Sequence, residues 1–450
     1  MFIEHRLEKL FKRIPADFTI PLRIVLWNGR EFNLSSEPTV TIHVPTPSAL
    51  RYFIPPDLNK LGKAFVEGHI RVEGSIHELF RVAESLVSSV AANTRARFHL
   101  FRHHSHRRDR AAIEYHYDVS NDFYSLFLDR NMVYSCAYYR RENDSLETAQ
   151  EQKLDHILNK LMLKPGERFL DIGCGWGALI LRAAKKYGAV ATGITLSKNQ
   201  FEHARNRIQA EGLQGRCTVE LRDYRDLPDA GVFDKIASIG MFEHVGLKNL
   251  SMYFRKICSL LTDEGLVLNH GITTSDVDSH ELEAGEFIDH YVFPDGELPH
   301  LTLALKEMSA AGLEVTDAES LQRHYARTCH EWANRLESNR DRAIAIAGDR
   351  RFRIWEIYLA GCAHAFSHGW INIYQVLACK AKNTAANPLP LTREYMYGGY
   401  GKEISSHAAR LRCSRGAYHR FIVSARRPGL PRSRIPIESA QWSERYADSG

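Results

Sequence analysis

The sequence has no run approaching the roughly 18–20 apolar residues that a membrane-spanning helix requires. Its first residues, MFIEHRLEKLFKRI (1–14), are charged and amphipathic, without an apolar core of signal-peptide length. Paired cysteines are missing too. Cys136, Cys174, Cys217, Cys258, Cys329, Cys362, Cys379 and Cys413 are scattered, with no CxxC pair and no zinc spacing. That excludes a disulfide scaffold, gives no reason to expect a metal, and favours a reducing compartment. A strong charge of one sign is absent from most of the chain. Residues 401–450 hold ten Lys/Arg against four Asp/Glu, whereas the other 400 hold 49 against 50, so the net +5 belongs to the tail. A uniformly basic nucleic-acid binder is excluded by that distribution, and no nucleic-acid partner is expected. Apolar residues, by contrast, are plentiful: 44% hydrophobic and 10% aromatic over 450 residues exclude a disordered or collagen-like chain and allow two or three domains.

Residues 1–92 read as a small α+β domain. IPLRIVLW (20–27) before Asn28-Gly29 predicts a strand entering a tight hairpin, and TVTIHV (39–44) alternates like a half-buried strand. Leu79, Val82, Ala83, Leu86 and Val90 recur at helical spacing. A linker over 93–112 contains RARFHLFRHHSHRRDR (95–110), with six Arg and four His. Three readings stand for it: a solvated linker, a contact with anionic lipid, and a His-metal site. Residues 398–450 read as a basic, disordered tail.

Over 113–397 strand and helix patterns alternate. RFLDIG (168–173), VATGIT (190–195), CTVEL (217–221), FDKIASIG (233–240) and LVLNHGI (266–272) are strand-like, with helical runs such as ALILRAAKKY (178–187) and SKNQFEHARNRIQAEG (197–212) between them. LEVTDAESL (313–321) and INIYQVLACK (371–380) add two more strands, one of them a candidate to run antiparallel. The expectation is an α/β fold with a seven-stranded, Rossmann-like sheet and helices on both faces.

Asp171-Ile172-Gly173-Cys174-Gly175-Trp176-Gly177 ends the first strand of this sheet and opens a helix, where glycines let backbone approach a ligand. Alone, the run also satisfies a dinucleotide fingerprint. A nicotinamide enzyme would carry an acid about 20 residues on, at the tip of the next strand. Here that tip is Thr195-Leu196-Ser197-Lys198-Asn199-Gln200, and the acid instead precedes the glycines. This arrangement resembles a class I S-adenosylmethionine-dependent methyltransferase.

Together with YHYDVSNDFYSLFLDRNMVYSCAYY (115–139), MFEHVG (241–246) and FPDGELP (293–299), the loop resembles the cyclopropane fatty acid synthase family, which includes the mycolic acid cyclopropane synthases. The resemblance runs to PLTREYMY (390–397). It implies methylene transfer from S-adenosylmethionine to the cis double bond of an unsaturated phospholipid acyl chain, with bicarbonate as base. Carried over by position, the anion's ligands would be Cys136, Glu243, His270, Ile272 and Tyr325, and Cys362 matches a cysteine labelled catalytic, although packing or cavity lining is the preferred reading of that thiol. The family's usual His-Thr-Ile-Gly stands here as His270-Gly271-Ile272-Thr273. The cofactor's contacts would fall on Tyr134, Ser135, Asp171 to Gly177, Thr195, Leu196, Ser197, Gln200 and Tyr224, with Arg225 beside it.

The resemblance also implies a cytoplasmic protein, peripherally associated with the inner face of the membrane, and makes a homodimer plausible. Two rivals remain open. One is a methyl-branching lipid methyltransferase or a small-molecule N-methyltransferase on the same fold. The other is a lipid-surface binding protein that lacks activity.

Overall fold

A computed structural model describes residues 20–53, 57–90, 120–275, 287, 290–292, 297–380 and 389–397. The amphipathic N-terminus, the arginine-rich linker, the basic tail and the leading residues of the motifs at 115 and 293 lie outside them.

The first sheet contains β1 (Leu22–Leu26), β2 (Glu31–Asn33), β3 (Val40–Val44) and β4 (Arg71–Glu73), in the order β2-β1-β3-β4. The Asn28-Gly29 turn forms as the sequence predicts: Gly29 adopts φ 81° and its N–H donates to the Leu26 carbonyl at 3.0 Å. β3 then returns beside β1 in parallel, with Leu22 opposite Val40. The Thr39 and Val40 amides both donate to the Pro21 carbonyl, which seats the returning strand. Helices α1 (Leu58–Val66) and α2 (Ile76–Val90) cover this sheet, and Asp57 caps the first by accepting from the Lys60 amide at 2.9 Å.

The second sheet has seven strands: β5 (Arg168–Ile172), β6 (Val190–Thr195), β7 (Cys217–Leu221), β8 (Phe233–Ile239), β9 (Leu261–Thr274), β10 (Leu313–Ser320) and β11 (Ile371–Lys380). Their order is β10-β11-β9-β8-β5-β6-β7. β11 runs antiparallel to both its neighbours, and the pairs from β9 to β7 are parallel. The longer helices that pack with it are α3 (Leu146–Lys160), α4 (Ala178–Tyr187), α5 (Lys198–Ala210), α6 (Leu250–Leu260), α7 (Leu301–Ala310), α8 (Gln322–Ser338), α9 (Arg340–Ala347) and α10 (Asp349–Ser367).

Side-chain alternation on β5 divides the core. Phe169 joins one apolar cluster with Leu158 and Ile180, while Leu170 and Ile172 join another with Tyr253 and Phe254 on the opposite face. A third cluster unites Leu22, Phe65 and Ile76 of the N-terminal sheet and its helices with Trp332, Trp355 and Phe366 of α8 and α10. The N-terminal sheet therefore shares a core with α8, α10 and the start of β11, which places the N-terminal elements beside the site.

Candidate active site

The glycine loop between β5 and α4 forms one wall of a cleft at the C-terminal end of the sheet. Gly173, Gly175 and Gly177 adopt φ of 79°, 54° and 87°, a region costly for residues with a Cβ. Their surroundings differ. A Cβ on Gly175 would meet nothing within 4 Å, so its backbone faces the open cleft, whereas one on Gly177 would lie 2.9 Å from the Ala204 side chain. Gly175 thus admits a ligand, and Gly177 lets α4 pack against α5.

Tyr134, Ser135, Asp171, Gly173, Cys174, Gly175, Trp176, Thr195, Leu196, Gln200, Tyr224 and Arg225 all line this cleft. Gly177 and Ser197, also expected there, do not; Ser197 instead caps α5 by accepting from the Gln200 amide. Thr195 orders the same turn, its Oγ1 donating to Gln200 Oε1 at 2.8 Å and accepting from the Ser197 amide at 3.1 Å. Arg225 is held by the Asp223 carboxylate at 2.9 and 2.6 Å.

Beneath the glycines, Asp171 is 2% exposed and its Oδ1 has no partner. Burial pushes its pKa up to about 7, against the pull of Lys153. Lys153 projects from α3 and donates to Ser135 Oγ at 2.8 Å. Burial lowers its pKa to about 8. This lysine fixes a cleft residue from below, and sequence reading missed it. Its signal was a lysine on the buried face of an amphipathic helix.

Glu243 follows β8, and His270 lies on β9 opposite Ile239, the last residue of β8. Glu243 lies in a helical turn after β8, and its Oε1 accepts from the Ile272 amide at 2.6 Å. Burial pushes this carboxyl up to about 7. Opposite His270 on β11 stands Gln375, whose Nε2 lies 3.3 Å from His270 Nδ1. That contact makes Nδ1 the acceptor and leaves the ring hydrogen on Nε2. Burial holds the imidazole neutral, well below its usual pKa. Glu243 Oε2 and His270 Nε2 are each buried without a partner, and a buried polar atom so orphaned is a candidate ligand contact. Gly271 between them is demanded by packing, since a Cβ there would lie 1.8 Å from the Phe242 ring.

Tyr325, Cys136 and Cys362 gather nearby with Cys329; burial and then these thiols and Glu243 raise the Tyr325 hydroxyl well above its usual range. Cys136 Sγ donates to the Ala137 carbonyl at 3.2 Å. Burial raises the Cys362 thiol to about 12, so it stays protonated at neutral pH. Cys362 lines a second, almost wholly apolar cavity bounded by Leu61, Phe65, Phe80 and Ala83 of the N-terminal unit and by Tyr358, Ala365 and Trp370. Tyr358 lines this second cavity beside Cys362 and lies within electrostatic reach of Tyr134, which lines the cofactor cleft, so the two cavities approach each other at these side chains. Stacked around the junction are Tyr124, Trp176, Trp332 and Trp355, with Tyr134 5.2 Å from Trp332 and Tyr124 5.0 Å from Trp176.

Comparison with known proteins agrees with this geometry. The family model for mycolic acid cyclopropane synthetase matches residues 104–376, and a domain of unknown function matches residues 7–95. The chain is 48% identical over 380 residues to a probable fatty acid methyltransferase of Pseudomonas putida, covering 84% of this chain and 96% of the relative. It is 38% identical over 276 residues to cyclopropane mycolic acid synthase 1 of Mycobacterium tuberculosis, covering 59% of this chain and 95% of that one. Among solved structures, the cyclopropane synthase MmaA2 from Mycobacterium tuberculosis superposes with a TM-score of 0.58 at 37% identity, over 61% of this chain and 99% of its own. The mycolic acid cyclopropane synthase CmaA1, complexed with SAH and CTAB, gives 0.57 at 36% identity, over 60% and 97%.

Proposed function

The chain belongs to the mycolic acid cyclopropane synthetase family and is an S-adenosylmethionine-dependent methyltransferase; from that premise we propose that it builds cyclopropane rings on the cis double bonds of unsaturated phospholipid acyl chains, with bicarbonate as the base. The observation that carries this reading is a glycine-lined cleft, walled by Tyr134, beside an almost wholly apolar cavity walled by Tyr358 and Cys362. A relative named as a fatty acid methyltransferase supports an acyl substrate.

When bound, S-adenosylmethionine would supply the methyl group, its S–C electron pair staying on sulfur, and bicarbonate would supply the acceptor for the proton released as the ring closes. The residues of the chain fit both groups. Open backbone at Gly175 suits the cofactor, and Lys153 holds Ser135 against it. Glu243 Oε2 offers an acceptor to a bicarbonate hydroxyl, and His270 Nε2 offers a donor to its oxygens. The aromatic faces of Tyr134, Trp332 and Trp355 favour positive charge, and the dry cavity keeps water from a cationic carbon. Cys362, held as a thiol, serves as wall rather than nucleophile in this account.

The protein meets its substrate as a peripheral protein at the cytoplasmic face of a bilayer, drawn by the arginines of residues 95–110. No described helix is long and apolar enough to cross a membrane. A methyl-branching reaction would use the same cleft and cavity and would also release a proton, so the product itself separates the two. Incubation of the full chain with labelled S-adenosylmethionine and vesicles of mono-unsaturated phospholipid is the test. The proposal expects label in the acyl chains of mono-unsaturated and not of saturated vesicles, and weakening of vesicle binding by salt. Labelling of free fatty acid alone would reject a bilayer substrate, and salt-insensitive binding would reject the arginine contact.

A further inference from the structure

Away from the cleft, the fold gathers three ligating side chains that the reaction does not use. His364 and His368 stand one turn apart at the end of α10, with their rings stacked 3.9 Å apart. Glu84 reaches them from α2, 280 positions earlier in the chain. A ring nitrogen of each histidine and a Glu84 carboxylate oxygen lie within 4.8 Å of one another. Histidines at i and i+4 on a helix are a familiar way of presenting two nitrogens to one ion.

The His368 tautomer and the surroundings both suit ligation. His368 Nδ1 lies 2.9 Å from the His364 carbonyl, which can only accept, so Nδ1 carries the hydrogen and Nε2 keeps its lone pair. His364 Nε2 donates to Glu84 Oε2 at 2.9 Å, close to the spacing of about 3.3 Å between neighbouring ligands of a tetrahedral ion, so ligation would replace this hydrogen bond and move the hydrogen to Nδ1. The His364 side chain is 8% exposed. Trp370 and Phe80 wall the cluster at 5.2 and 5.9 Å from the His364 ring.

We propose that Glu84, His364 and His368 form a site for a divalent transition metal of the zinc class, with solvent completing the coordination shell. Two imidazoles and a carboxylate suit Zn2+ or Co2+ better than Mg2+ or Ca2+, which prefer oxygen ligands alone. Rotation of the exposed His368 side chain closes the cluster onto the ion, and any displaced imidazole proton passes to water. The ion would pin α2 to α10. Phe80, one turn before Glu84, and Gly361, Ala365 and Trp370 around the histidines all line the apolar cavity, so the ion would brace that wall. Binding itself does not depend on the substrate assigned to that cavity.

The test is Zn2+ titration by calorimetry, with Co2+ absorption as a second readout, on tag-free full-length protein stripped with chelator. The linker histidines His99, His103, His104 and His106 are a competing source of binding, so a variant with all four changed to Gln is titrated in parallel. The expectation is one tight Zn2+ per chain that survives the linker changes, raises the thermal transition, and weakens roughly tenfold or more in Glu84→Gln and in His368→Gln. Both variants should bind S-adenosylmethionine as the wild type does, which shows that they are folded. Wild-type Zn2+ affinity in either variant, loss of the site in the linker variant, or no stoichiometric binding by the wild type would overturn the proposal.

Discussion

Glu243 holds one oxygen on the Ile272 amide at 2.6 Å and leaves the other buried without a partner. Its pKa of about 7 stands above the ordinary 4.5, so the folded state keeps a proton that the unfolded chain releases between these values. The stability this group contributes is complete below about pH 4.5 and is lost as pH rises through about 7, by up to about 3 kcal/mol. Glu243→Gln should therefore gain thermal stability relative to wild type as pH rises across that window; parallel melting profiles would contradict the assignment. The same variant should bind S-adenosylmethionine normally yet turn over about 10²–10⁴-fold more slowly, as measured by product formation. Cys362→Ala should keep turnover of the same order as wild type, because a thiol raised to about 12 is no ready nucleophile. A loss of about 10⁴-fold would instead mark a covalent role. At this scale the motifs made most of the cleft legible. Lys153 was not, because nothing local to its helix says that Ser135 lies above it.

The antiparallel pairing of β11 with β9 places Gln375 beside His270, and the turn after β8 sets Phe242 against Gly271. That second contact explains a departure that local sequence leaves unreadable: glycine follows His270 because the Phe242 ring occupies the space of a side chain. Gly271→Ala should cost about 1–3 kcal/mol by overpacking and slow turnover through Glu243 next door. Phe242→Leu should relieve it, leaving the double variant more stable than the summed single losses predict; strict additivity in denaturant melts would count against this contact. The helix start at Ser197 and the Asn28-Gly29 turn were legible because each is settled within a few residues. The parallel return of β3 beside β1 was not, since it depends on bonds to Pro21 made across the loop.

Across the whole molecule, the N-terminal sheet and its helices share a core with α8 and α10, and they close one side of the apolar cavity. Periodicity announced two units but not that one would wall the other's site, for such packing is set by shape between distant segments. Ala83→Leu should fill the cavity from α2 and shift product formation toward shorter acyl chains while leaving cofactor affinity unchanged. An unaltered chain-length profile would separate this cavity from the substrate. Ring formation is the central claim, and S-adenosylmethionine with a fully deuterated methyl group tests it most directly on mono-unsaturated phospholipid vesicles. The expected product is an acyl chain whose new carbon retains two of the three deuterons and lies in a cyclopropane ring, as shown by mass and by the high-field deuterium resonances of the ring CD2. A product that keeps all three deuterons on a methyl branch, or that lacks the ring resonances, would contradict it.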